Sequence, residues 1–182
     1  MEKFKNCLPL LFVLALTAAV YTPVFSSQFT NWDDNRHLTR LNAVQELTWG
    51  NVQKIFTSTI NFTYIPLTLL SFAVEHHFFK LNPFVYHLDN LLLHLGVVAL
   101  VYAFGIGLGL SRRAVLLASL IFGVHPMHVE SVAWVTERKD VLCAVFYMAA
   151  VICYWRYVST SPTPGVRNFR TPGVGEVDTY RQ

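Results

Sequence analysis

The feature that most restricts this chain is a series of apolar runs, each close to the length a helix needs to cross a bilayer. About 20 mostly apolar residues span the ~30 Å hydrocarbon core. Leu8 to Phe25, Leu88 to Leu110, Ala114 to Trp134 and Val141 to Val158 all approach that length. Hydrocarbon offers no water to backbone N–H and C=O groups, so runs of this kind fold as helices. Composition agrees, with 53% of residues hydrophobic and only 14% charged, against about 25% charged in a soluble domain. The expectation is an all-α, multi-span transmembrane helical bundle of about four spans. A net charge of +3 without a polybasic tail gives no footprint for a nucleic-acid partner.

Lys3 and Lys5 precede the first run, the layout of a signal peptide. The run is long and no A-x-A cleavage site follows, so it reads as a retained anchor. Leu67 to Phe79 is apolar but too short to cross easily, and Glu75, His76 and His77 interrupt it. It reads as an interfacial or re-entrant helix. Basic residues near span ends mark the cytoplasmic side. Four spans put Lys3, Lys5, Arg112, Arg113 and Arg156 there together, whereas a fifth span at 67–79 would turn the two adjacent arginines outward. The long loop 26–87 and the loop from His125 to Asp140 then share the outer face, in the periplasm of a bacterial inner membrane or the lumen of the endoplasmic reticulum. Residues 159–182 carry "TPGV" twice and read as a disordered cytoplasmic tail. Cys7, Cys143 and Cys153 lie in or beside apolar runs and read as buried small hydrophobes. Asn61-Phe62-Thr63 is a glycosylation sequon on the expected outer side.

Chemistry concentrates in those outer loops. Asp33 and Asp34 adjoin in "NWDDNRH". Such a pair can bind a divalent cation, or one member can act as a general base, or the two can simply sit in a solvated turn with a helix N-cap. Adjacent residues in an extended segment point opposite ways, which gives each its own role. In "HPMHVE" Pro126 suits a helix start and disfavours a helical His125, so the third span is expected to break there. His125, His128 and Glu130 are candidate ligands, but Glu130 lies about 200° around a helix from His128, so lining a pocket fits them better than holding a metal. Arg138 and Lys139 read as a cationic hook for an anion, or as a loop neutralised by Glu137 and Asp140. His87, Asn90 and His94 share one face of the second span, as pocket groups or as a hydrogen-bonded helix interface. "GIGLGL", Gly105 to Leu110, lacks dinucleotide-binding spacing and reads as helix packing.

Four blocks occur in order: "WDDNRH", "NFTYIPLTLLSFAVEHHFF", "YHLDNLLLH" and "HPMHVESVAWVTERKDVL". Over roughly residues 8 to 158 the chain resembles the N-terminal membrane part of the transmembrane and tetratricopeptide-repeat O-mannosyltransferases and their bacterial relatives, of the GT-C glycosyltransferase class. The resemblance implies a partial GT-C transmembrane domain over 1–158. It implies transfer of a sugar, mannose by family, from a polyprenyl-phosphate donor to a protein or glycan hydroxyl. Asp33 and Asp34 match the acidic motif of the first outer loop, so one of them would be the base. Arg138 and Lys139 would suit the departing lipid phosphate, and His125, His128, Glu130, Asp140 and His94 would line the site. A divalent cation stays open as a cofactor, and no metal ligands are assigned. The family continues into further spans and a repeat domain, and no helical repeat occurs here. The chain is therefore expected to be inactive alone and to need an oligomer or a missing subunit. The alternative is a non-catalytic membrane scaffold that pairs with a larger transferase.

Overall fold

The computed structural model describes residues 2–59 and 63–160. The sequon at Asn61-Phe62-Thr63 and the tail beyond Thr160 fall wholly or mainly outside the described residues, as does the Cys7 side chain. Among the described residues eight α-helices organise the fold: α1 (Glu2–Val20), α2 (Asn42–Gln45), α3 (Trp49–Thr57), α4 (Pro66–Phe79), α5 (Pro83–Gly107), α6 (Arg112–Val124), α7 (Val129–Ala133) and α8 (Arg138–Thr160). Leu8–Ser26, Pro83–Gly107 and Val135–Thr160 are long and apolar enough to cross a membrane. A fourth crossing results if α6 and the segment Pro126–Ala133 count as one span bent by 46°. The protein is an all-α integral membrane protein. The expected break is at His125, which is extended (φ −65°, ψ 132°) with Pro126 opening the next turn.

Local sequence sets the helix ends. Asn82 caps α5 by accepting from the Phe84 N–H at 3.2 Å, with Pro83 in the first turn, where its missing N–H costs nothing. Ser111 caps α6 through the Ala114 N–H at 3.3 Å. Between them Gly109 takes φ 77°, a conformation glycine adopts without strain.

The long helices alternate in direction. At one end Tyr21, Val24, Leu91, Val132 and Val141 form a buried cluster, joining the end of the first span to the start of α5, to α7 and to the start of α8. At the other end Gly105 lies against Val115, and Gly107 against Trp155. A Cβ on either glycine would stand 3.0 Å from its neighbour, so these small residues set the close approach of α5 to α6 and α8. Pro9 lines a groove there with Arg112 and Arg113. The basic residues Arg112, Arg113 and Arg156 thus lie at the end opposite Asp33 and Asp34.

The segment read as a long loop is folded. Leu38, Val44, Ile55, Leu69, Phe72, Ala73, Tyr86 and Val135 make a second core, which builds a cap over the start of α5 and α8. At 14 residues, α4 is about 21 Å long, short of the bilayer core, and its buried residues Leu69, Phe72 and Ala73 pack into the cap. The cysteine reading is corrected: Cys143 and Cys153 are exposed free thiols. The reason is that α8 buries only Arg138 and Val141 near its start and turns most of its length outward.

Candidate functional site

The cap brings the acidic loop onto the segment that leads into α8. Asp34 is 1% exposed. Its Oδ1 accepts from the Thr136 N–H at 3.1 Å and from the Thr136 hydroxyl. Its Oδ2 accepts from the Thr30 N–H at 2.8 Å and the Thr30 hydroxyl at 3.0 Å. Both oxygens are occupied, so Asp34 is a clasp between two segments far apart in sequence. The capping expectation is corrected as well, because Asp33 and Asp34 are helical rather than extended and Asp34 makes no side-chain cap bond to the turn that follows.

Asp33 is different. Its side chain is 40% exposed and lies 3.8 Å from the Arg36 guanidinium. Asn31, Trp32, Asp33, Asn35, Arg36 and Arg40 line a polar cleft of about 390 Å³. The backbone below it, Asn35–Thr39, is a π-helical turn closed by the Arg40 N–H on the Asn35 carbonyl at 3.0 Å. The His37 ring donates from Nδ1 to the Asp33 carbonyl at 2.8 Å, which anchors the turn from its buried side. Trp32 stands 75% exposed beside Trp134, with ring centroids 5.8 Å apart.

Arg138 is not the open hook expected of it. It is 1% exposed and four of its five N–H donors are used within the fold. Nε donates to Asn90 Oδ1 at 2.7 Å, Nη1 to Ser71 Oγ at 3.1 Å and to Glu75 Oε2 at 2.5 Å, and Nη2 to the Tyr86 carbonyl at 2.8 Å. The guanidinium also lies over the Phe72 ring at 4.6 Å. One side chain therefore ties α4, α5 and α8 together. Burial pushes the Glu75 carboxyl up to about 8, with Arg138 pulling in the opposite direction. Lys139 is paired with Glu137 at 2.5 Å and stays partly exposed, the one pair of the expected self-neutralised loop that forms among the described residues, since Arg138 turns to Glu75 instead.

The remaining residues divide. His94 is buried and donates from Nε2 to the Gly123 carbonyl at 2.9 Å, a tie between α5 and α6. Asn90 Nδ2 donates to the Trp134 carbonyl at 3.1 Å. His128 packs against Phe122 with ring centroids 4.5 Å apart and planes tilted by 46°, and neighbours His94 at 5.4 Å. His125 is exposed, and its Nδ1 accepts from the Met127 N–H at 3.2 Å, so it caps the turn at the bend. Glu130 is exposed, and Asp140 accepts from Ser131 at 3.3 Å. None of these six lines the Asp33 cleft. Among the described residues no three His, Cys, Asp or Glu side chains gather closely enough to hold a metal ion.

Sequence comparison decides the kinship. The chain is 34% identical to the protein O-mannosyl-transferase TMTC2 of Mus musculus over 154 residues, 80% of this chain. It is 34% identical to TMTC4 of Homo sapiens over 134 residues, and 37% identical to human TMTC3 over 94 residues. The chain is a relative of the protein O-mannosyl-transferases. It spans about 18% of the length of TMTC2 and TMTC4 and 10% of TMTC3. No family model matches the chain, and no solved structure matches it. Arg36, Arg40 and Thr136 escape a reading of the sequence by motif. The signal for the first two is their i, i+4 spacing directly after the acidic pair.

Proposed function

We propose that this chain supplies the acidic outer cap of a membrane O-mannosyltransferase, and that the cleft at Asp33 faces a polyprenyl-phosphate-linked mannose and a protein hydroxyl. The observation that carries the reading is the division of labour in the acidic pair. Asp34 is spent on holding the cap, and Asp33 is left open in a polar cleft. In the reaction the acceptor oxygen forms a bond to the anomeric carbon. The bond from that carbon to the phosphate oxygen breaks, and its electron pair leaves with the polyprenyl phosphate. The acceptor proton passes to the Asp33 carboxylate, the role of a general base. Cations near the phosphate stabilise the charge that develops there. Lys139 is the member of the Arg138–Lys139 pair that reaches solvent.

The orientation that suits this chemistry places the cap in the lumen or periplasm and the Arg112, Arg113 and Arg156 end in the cytoplasm, as the distribution of basic residues favours. The described residues build one wall of a site. The cleft is open, and α8 leaves Phe146, Tyr147, Tyr154 and Tyr157 exposed. The chain alone is accordingly expected to bind donor without turning it over, and to gain transfer when further helices, from an oligomer or another subunit, complete the cavity. The test is equilibrium binding of polyprenyl-phosphate mannose to the chain in nanodiscs of neutral lipid. Saturable binding supports the reading, and binding no stronger than to empty nanodiscs overturns it.

A further inference from the structure

The donor needs a cationic seat, and Arg138 is buried with four of its five N–H donors already used inside the fold. Two other arginines of the cap reach solvent. Arg36 and Arg40 are exposed and line the same cleft as Asp33. The π-helical turn beneath them closes through an i→i+5 bond, and its width sets residues four apart on one side. Such turns are rare and occur frequently at functional sites. Arg36 is held only by Asp33 at 3.8 Å across a solvent-exposed gap, a separation at which an exposed ion pair contributes little. Arg40 has a backbone hydrogen bond to Asn35 and no side-chain partner among the described residues. Two solvent-exposed guanidinium forks at the rim of one cleft, one of them only weakly paired, match the geometry and charge of a phosphate.

The third element is Trp32, which is exposed beside the cleft and backed by Trp134. The negative face of an aromatic ring attracts weakly positive hydrogens, which the C–H-rich face of a pyranose presents. We infer that the Asn31–Arg40 cleft is a glycosyl-phosphate subsite, with Arg36 and Arg40 holding the phosphate and Trp32 carrying the sugar ring. The inference rests on the donor reading above and goes beyond it in naming the residues and in moving the phosphate from Arg138 to the acidic loop itself. It has a mechanistic consequence. Phosphate and Asp33 compete for Arg36, so donor binding draws the guanidinium away and leaves the Asp33 carboxylate free to accept the hydrogen bond of the incoming hydroxyl. The base is uncovered only when the donor is seated.

The test uses the whole chain in nanodiscs of neutral lipid, titrated with polyprenyl-phosphate mannose, with bare polyprenyl phosphate, with phosphatidic acid at the same mole fraction, and with inorganic phosphate. The expected result is tighter binding of the mannosylated lipid than of the other three. Replacing both arginines, Arg36→Gln with Arg40→Gln, should weaken polyprenyl phosphate binding more than about tenfold, the loss of one to two charge-assisted contacts. Arg112→Gln at the opposite end should leave it unchanged. Trp32→Ala should abolish the preference for the mannosylated lipid and keep binding of the bare phosphate. Asp33→Asn should tighten binding of bare polyprenyl phosphate, because Arg36 is released. Wild-type binding that survives the double arginine substitution overturns the subsite and leaves the donor reading standing. Absence of wild-type binding overturns both. Equal binding of phosphatidic acid overturns the assignment to a glycosyl donor.

Discussion

Asp33 and Asp34 are neighbours with the same side chain, and the structure gives them opposite sensitivities. Asp34→Ala removes the acceptor of two backbone N–H groups and two hydroxyls. The hydroxyls can rotate toward other partners, and the Thr30 N–H is only partly buried, within reach of water. The Thr136 N–H is buried and is left orphaned, a penalty of about 1–3 kcal/mol, while hydrogen bonds to a charged group contribute about 1.5–3 kcal/mol. The two together give a loss of roughly 3–4 kcal/mol. For a chain of this length each kcal/mol moves the melting temperature by about 2–4 °C, so Asp34→Ala should melt about 10 °C below wild type. Asp34→Asn should fall between, because an amide keeps one acceptor but sets its NH2 against a donor. Asp33→Ala removes one exposed ion pair, which contributes at most about 1 kcal/mol, so it should melt within about 3 °C of wild type. The assay is thermal unfolding in mild detergent, followed by tryptophan fluorescence. Equal melting losses at the two positions, or a larger loss at Asp33, would show that Asp34 is not the clasp of the cap.

Arg138→Met should destabilise by about 3–5 kcal/mol because it takes the donor away from Asn90, Ser71, Glu75 and the Tyr86 carbonyl at once and leaves buried acceptors unpaired, and adding Glu75→Leu should recover part of the loss by removing one of them; a double variant less stable than Arg138→Met contradicts this. Glu75 also gives a pH signature: its folded value, about 8, lies above the ordinary 4.5, so its contribution is full below about pH 4.5 and is lost as pH rises through about 8. Melting of wild type relative to Glu75→Gln should therefore decline across that window, and a flat difference would show that the carboxyl titrates normally. Cysteine labelling in a cysteine-free background should reach position 33 only from the side opposite positions 112 and 156, and labelling of all three from one side would break the alternating arrangement. In any assembly where the chain supports transfer, Asp33→Asn should lower the rate by about 10²–10⁴-fold with the melting temperature kept, and an unchanged rate removes Asp33 from the chemistry.

Periodicity and apolar length carried the architecture, since a bilayer span is a local property that twenty residues can declare. The break at His125 was equally legible, because Pro126 acts on its own neighbours. The segment 26–87 was not, and was read as a loop. Its helices α2 and α3 are short and mixed in character, and they gain order from a shared core with Tyr86 and Val135, contacts that no local pattern announces. The same limit explains Arg138. A surface hook and a buried tie look alike in "TERKD", and only the distant positions Ser71, Glu75, Tyr86 and Asn90 make it the second. For the acidic pair, sequence located the residues but could not divide them, because the division depends on Thr136, roughly a hundred positions away. His94 was legible as an interface group, one of two readings its helical face allowed, and its bond to Gly123 selects that one.

If the cap cleft seats the lipid-linked sugar, the sugar must lie against residues 31–40. The most direct measurement is photocrosslinking with a polyprenyl-phosphate mannose that carries a diazirine on the sugar, in nanodiscs, followed by mass-spectrometric mapping. Adducts are expected within residues 31–40, lost on addition of excess unlabelled donor and lost in the Arg36→Gln, Arg40→Gln variant. Adducts confined to the outward faces of α1, α5 and α8, and insensitive to unlabelled donor, would contradict that seating.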